Sequence, residues 1–432
     1  MMCANVSQKG WSVVTLVFLF MLINYADKSV VGLSSVPMMQ ELGLSHRQFG
    51  LLGSAFFLLF AIAGVAVGFL ANRLSTTVIM TVMALVWAAA LLLPIAGSVT
   101  FTGLLISRIV LGAAEGPAFP LAMHAVYKWF GNQQRELPSS VVASGAAFGT
   151  GIVAPLISWI ILHHGWRASF IALGMASLLW AGLWRLLAVE GPLDAASGAA
   201  TDQPRWIPYR RLLTSRTALG VYLGGFGAYW VIALNIVWLA NYLNKALHMS
   251  PARAAWVIAL PSALQLVFAP GSAYLSRWLA RRGVSSRLSR GLLGALCVSV
   301  SGLSMLCLPF SGSGAIEVLL VGLSFSIGSV IFTLGSPLIG EISPSAQRGA
   351  VLAVTNSLQT LAGLVAPLVM GLLVDINANP TAGFRAGFLL AGGLVAALGV
   401  LSAALIHPES DALRFGRWAP GHASKLEESP VS

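Results

Sequence analysis

The stretch Gly151-Ile152-Val153-Ala154-Pro155-Leu156-Ile157 returns 212 residues later as Gly363-Leu364-Val365-Ala366-Pro367-Leu368-Val369. Two more pairs keep the same order at nearly the same offset. Gln134-Arg135 returns as Gln347-Arg348, and Gly165-Trp166-Arg167-Ala168 returns as Gly383-Phe384-Arg385-Ala386. Ordered matches at one spacing are the mark of an internal duplication, so the chain reads as two copies of one unit.

What each unit contains follows from composition. The 432 residues are 57% hydrophobic and 9% charged, against roughly a quarter charged in a soluble domain. Apolar runs long enough for a helix to cross a hydrocarbon core of about 30 Å lie at 11–33, 48–71, 77–97, 100–123, 138–161 and 167–189. Six more lie at 216–240, 254–276, 288–309, 315–338, 350–374 and 384–406. The expected fold is an all-α membrane protein of twelve transmembrane helices in two pseudo-symmetric six-helix bundles. Residues 1–189 form the first bundle and 216–406 the second. Between them, 190–215 is a linker rich in Gly, Pro and Arg, and 407–432 is a polar tail. The first run continues into Asn24 and Asp27 without a small-residue cleavage site, so it reads as a retained helix.

The net charge of +11 is spread through short loops and forms no basic domain, which argues against a nucleic-acid partner. Its distribution orients the chain. With the termini inside, eighteen Lys and Arg fall on the cytoplasmic side and five on the other, so both termini are expected in the cytoplasm. Cys3, Cys297 and Cys307 make neither a disulfide framework nor a metal site, and no His has ligand-spaced partners. No cofactor or metal is expected, and no nucleophile or phosphate-binding motif suggests an enzyme.

Four charges fall inside the runs: Asp27 and Lys28 in the first, Arg108 and Glu115 in the fourth. A charge at that depth costs about 2.5–3.5 kcal/mol even on the lenient insertion scale, so it persists with a partner or a cavity. Arg108 and Glu115 are two helical turns apart and return to nearly one face. Arg108 pairing with Asp27, or Glu115 with Lys28, would both be reasonable; sequence leaves the choice open. Desolvation favours a protonated carboxylate and a nearby cation favours the ionised one. An anion that competes for the cation therefore links its own binding to that of a proton. Asp27 and Glu115 are the candidate proton acceptors, and Lys28 and Arg108 the candidate anion ligands. Asn24, Tyr25, Tyr229, Asn235, Asn356 and Gln359 are polar residues elsewhere in the spans that could complete the site.

Three segments resemble a known family: Asn24-Tyr25-Ala26-Asp27-Lys28, the run Arg108-Ile109-Val110-Leu111-Gly112-Ala113-Ala114-Glu115-Gly116-Pro117-Ala118-Phe119-Pro120, and Trp238-Leu239-Ala240-Asn241-Tyr242-Leu243. Together they look like the anion:cation symporters of the major facilitator superfamily. The resemblance implies a substrate site between the halves, proton-handling acids at Asp27 and Glu115, and anion-binding bases at Lys28 and Arg108. It also implies import of a small carboxylate, such as a sugar acid or aromatic acid, with protons. Short loops without a targeting extension lean towards a bacterial inner membrane, and a monomer in contact with lipid is expected. There are departures. The family usually has Arg where Lys28 stands, and an ammonium cannot reproduce a bidentate guanidinium grip. The loop signature Gly-x-x-x-Asp-Arg appears as Gly68 to Arg73 with Asn72 in place of the acid, and its second copy ends in Ser276-Arg277. Asn72, Arg73 and Arg277 are the candidate gating residues. A drug or metabolite exporter of the same fold and a transporter-like membrane sensor are the competing readings.

Overall fold

The computed structural model describes residues 2–70, 74–96, 99–130, 136–189, 191, 206–312 and 314–415. Among the described residues, eleven helices are long and apolar enough to cross a membrane: α1 (Gln8–Leu33), α2 (His46–Val67), α4 (Phe101–Tyr127), α5 (Leu137–His164), α6 (Trp166–Leu187), α7 (Arg216–Lys245), α8 (Arg253–Arg281), α9 (Arg287–Phe310), α10 (Ala315–Ile342), α11 (Gln347–Ile376) and α12 (Pro380–Leu405). The twelfth, α3 (Thr76–Leu92), has 17 residues and spans about 25 Å. It stops short of the expected 97 because Pro94 follows, and a proline cannot donate to a continuing helical ladder. With an even number of crossings, both ends of the described chain lie on one face, here the terminal face. The 33–46 and 376–380 turns lie on the far face.

Helix starts follow the chain's own capping residues. Ser75, Thr100, Ser215, Ser250 and Asn379 each accept a backbone N–H from the first turn of the helix they precede. Ser45 does so within a full capping box with Gln48.

Glycines set how closely helices approach. A Cβ on Gly112 or Gly116 would fall on the carbonyl oxygens of Phe56 and Phe60, so α4 and α2 pack backbone against backbone, as small residues permit in lipid. α5 contains a π-helical turn at Phe148–Ile152, a device common at functional sites. It presents Thr150 to Ser262 of α8, with the two hydroxyls 2.8 Å apart.

The segments flanking the second bundle are pinned to it. The Gln347 side chain accepts from the Ile207 N–H at 3.0 Å and donates to its carbonyl at 2.7 Å. After α12, the short helix Pro408–Arg414 places Asp411 on the N–H of Thr217, 2.8 Å away, and Glu409 on that of Arg287, 2.9 Å away.

Candidate functional site

Lys28 is buried in α1, and its position is over-determined. Its ammonium donates to Asn24 Oδ1 one turn earlier at 2.6 Å and lies 3.3 Å from Glu115 Oε2 of α4. It also sits 4.1 Å from the centre of the Tyr25 ring and 5.4 Å from that of Phe60. Ring faces are negative, so they stabilise an ammonium removed from water. Of the two pairings left open, the structure forms Lys28–Glu115.

Arg108 follows the glycine row. Arg108, Gly112 and Gly116 recur every four residues and face α2, which brings the guanidinium 4.9 Å from the Phe56 ring centre. Its Nε and one terminal nitrogen have no hydrogen-bond partner among the described residues, and neither does either carboxylate oxygen of Asp27. Both side chains are buried. Asp27 feels Arg108, Lys28 and Glu115 electrostatically, yet Asp27 and Arg108 do not reach ion-pair distance. Buried polar groups in folded proteins are nearly always satisfied, so a fully buried acid and base with open hydrogen-bonding capacity mark a place for a ligand or a proton.

The remaining candidates divide. Tyr229 joins the cluster from the second bundle. Its ring meets Phe57 of α2 edge-on at 5.7 Å and Phe332 of α10 at 6.3 Å, and its hydroxyl is within electrostatic reach of Tyr25 and Glu115. Asn235 lines a small cavity between the bundles with Ser29, Thr150 and Ser262. Asn356 is exposed. Gln359 is committed elsewhere, its amide donating to the Val221 carbonyl at 3.1 Å within the second bundle. Arg277 is exposed and donates to Ala273 O at 3.3 Å, whereas Asn72 and Arg73 lie outside the described residues.

Sequence reading missed three things. Phe56 lies under Arg108 and Phe60 under Lys28, with Phe57 packed on both rings, a role their plain apolar run does not announce. Glu317, near the start of its apolar run, is a buried acid of the second bundle, with the Tyr242 hydroxyl donating to it at 3.4 Å. Asp375, near the end of α11, crosses to the first bundle and accepts from the backbone of His46 and Arg47.

The comparisons with known proteins agree with this architecture. The family model described as Major Facilitator Superfamily matches residues 17–324 and 221–427. A probable sulfoacetate transporter of Cupriavidus necator is 28% identical over 407 residues, covering 89% of this chain and 91% of that protein. The hexuronate transporter of Bacillus subtilis is 26% identical, covering 97% and 98%. A probable galactarate/D-glucarate transporter of Escherichia coli is 24% identical, covering 84% and 88%. Among solved structures, a D-xylose-proton symporter superposes with a TM-score of 0.73 at 17% identity, covering 93% of this chain and 99% of that one. An inward-facing, occupied bacterial homolog of the human lysosomal transporter Spinster gives 0.75 at 16%, covering 95% and 98%.

Proposed function

The chain belongs to the Major Facilitator Superfamily, and from that premise we propose that it is a secondary active transporter importing a small organic anion together with protons. The observation that carries this reading is the buried cluster in which Lys28 is paired to Glu115 while Asp27 and the Arg108 guanidinium keep open hydrogen-bonding positions. A substrate carboxylate entering the cluster is drawn to Arg108, which offers a planar fork of donors, and competes with Glu115 for the Lys28 ammonium. A carboxylate deprived of its counter-ion in a dry site takes up a proton. The loaded cluster is then compensated in charge, and alternating access carries anion and proton together. Asn24 and Tyr25 hold Lys28 in place, Tyr229 closes the cluster from the second bundle, and Asn235 lines the adjoining small cavity between the bundles. Relatives named for galactarate, glucarate, hexuronate and sulfoacetate transport support a carboxylate substrate. The charge asymmetry of the loops supports cytoplasmic termini, the bacterial relatives support an inner membrane, and the reading requires one chain only.

The test is uptake into liposomes of radiolabelled D-glucarate, D-glucuronate and sulfoacetate, with and without an inward proton gradient. The wild type is expected to accumulate at least one of them only when the gradient is present. Arg108→Ala should abolish uptake, and Glu115→Gln should retain exchange but lose accumulation by at least about tenfold. A wild type that moves none of these anions, or moves one equally well without the gradient, sinks the proposal.

A further inference from the structure

At the N-terminus of α2 the two bundles touch on the far face. A helix start leaves its first backbone N–H groups without intrahelical acceptors. In α2 the capping box accounts for two groups: Gln48 N–H donates to the Ser45 hydroxyl at 3.2 Å, and Ser45 N–H donates to the Gln48 side chain at 2.9 Å. The N–H groups of His46 and Arg47 remain, and one carboxylate from the other bundle takes both. Asp375 Oδ1 accepts from His46 N at 3.0 Å and Oδ2 from Arg47 N at 2.7 Å, while the His46 ring Nδ1 lies 2.9 Å from Oδ1. The first-turn account of α2 is closed only because α11 is docked against it.

The contact beneath is equally specific. A Cβ on Gly50 would meet the Pro367 carbonyl, and one on Gly371 would meet that of His46. Trp238 of α7 donates to Pro367 O at 2.9 Å, stacks on His46 at 6.2 Å and meets Phe49 edge-on at 5.3 Å. Asp375 is also unlike the chain's other carboxylates on helix starts. Asp411 and Glu409 serve α7 and α9 within the second bundle, whereas Asp375 joins bundle to bundle. Nor is the arrangement doubled by the internal repeat, because α5, the copy of α11, ends in Leu162-His163-His164 and has no acid over residues 157–164.

The geometry points to Asp375 as the gating residue of the far face: its carboxylate, shared between the first two turn-opening N–H groups of α2, sets the equilibrium between closed and open. Hydrogen bonds to a charged group are about twice as strong as neutral ones. The site is partly exposed, so water replaces the carboxylate when α2 and α11 part, which keeps the latch reversible. The inference rests on the transport reading only for its effect on turnover.

The experiment measures distance and needs no substrate. Spin labels are attached at Leu93→Cys and Ile316→Cys, exposed far-face positions on different bundles, with the native cysteines replaced by serine. Double electron–electron resonance on the full chain in nanodiscs at pH 7 is expected to give one dominant short distance for wild type. Asp375→Asn, which keeps the shape but forfeits the charge and one acceptor, should raise the open-to-closed ratio about tenfold or more. His46→Ala, which preserves both backbone bonds, should shift it less. An unchanged distribution in Asp375→Asn, whether or not the melting temperature falls, overturns the gating role and leaves a helix cap only. Absence of uptake in liposomes, with the distance shift intact, would strike the transport reading and not this one.

Discussion

At the scale of single residues, Lys28 and Glu115 form a buried ion pair whose worth depends on both partners being present. Removing one leaves an uncompensated charge in the interior, a loss of about 3–5 kcal/mol, whereas replacing both with neutral side chains of similar volume is far cheaper. Lys28→Met is therefore expected to lower the thermal unfolding midpoint in detergent more than Lys28→Met combined with Glu115→Gln does. Midpoints that fall additively in the double variant would show that the pair is not energetically coupled. The four charges themselves were legible in the sequence, since ionisable residues in apolar runs stand out on cost alone. Their pairing was not. Which acid meets which base depends on the rotation of α1 against α4, and that is fixed by Gly112 and Gly116 docking on α2, a contact across more than fifty residues of sequence.

Among the elements, the short helix Ser35–Leu42 after α1 shows a surface interaction with a definite pH sense. Glu41 accepts from the Trp166 indole at 2.7 Å and from Arg167 at 2.5 Å, and these hydrogen bonds hold its carboxyl below the ordinary value. A folded-state value below the unfolded one adds stability that is present above the ordinary carboxylate range and lost as pH falls through the lowered value. The difference in melting temperature between wild type and Glu41→Gln is expected to be small and positive at pH 7, because both side chains are well exposed. It should shrink towards zero below about pH 4. A difference that stays constant from pH 7 to 3 would mean that the carboxylate's charge contributes nothing. Helix number was readable from run length, and the end of α3 was overrun because its apolar residues continue past the helix into Leu93 and Pro94. Asp375 escaped notice for a different reason. A residue that caps its own helix leaves a local signature, whereas one that caps a helix 328 positions away leaves none.

Taken as a whole molecule, the chain carries its Lys and Arg outside the helix interiors mainly on the terminal face, by thirteen to five among the described residues. Charge bias of this kind fixes orientation during insertion. A green fluorescent protein fused after Ser432 in a bacterial host is expected to fluoresce and an alkaline phosphatase at the same point to be inactive; the reverse pattern would invert the assignment and with it the direction of import. The duplication seen in the opening motif accounts for the two-bundle layout, but it does not extend to the chemistry. Asp27, Lys28, Arg108 and Glu115 all belong to α1 and α4, and the second bundle meets them with Tyr229, backed by Phe332. On the proposed reading, the fuel and the grip on a carboxylate share one part of the gene, and the other part supplies only the wall that faces the rest of the cargo. A lineage could exchange or remodel the second part to acquire a new nutrient while inheriting the first, with its fuel supply, unaltered.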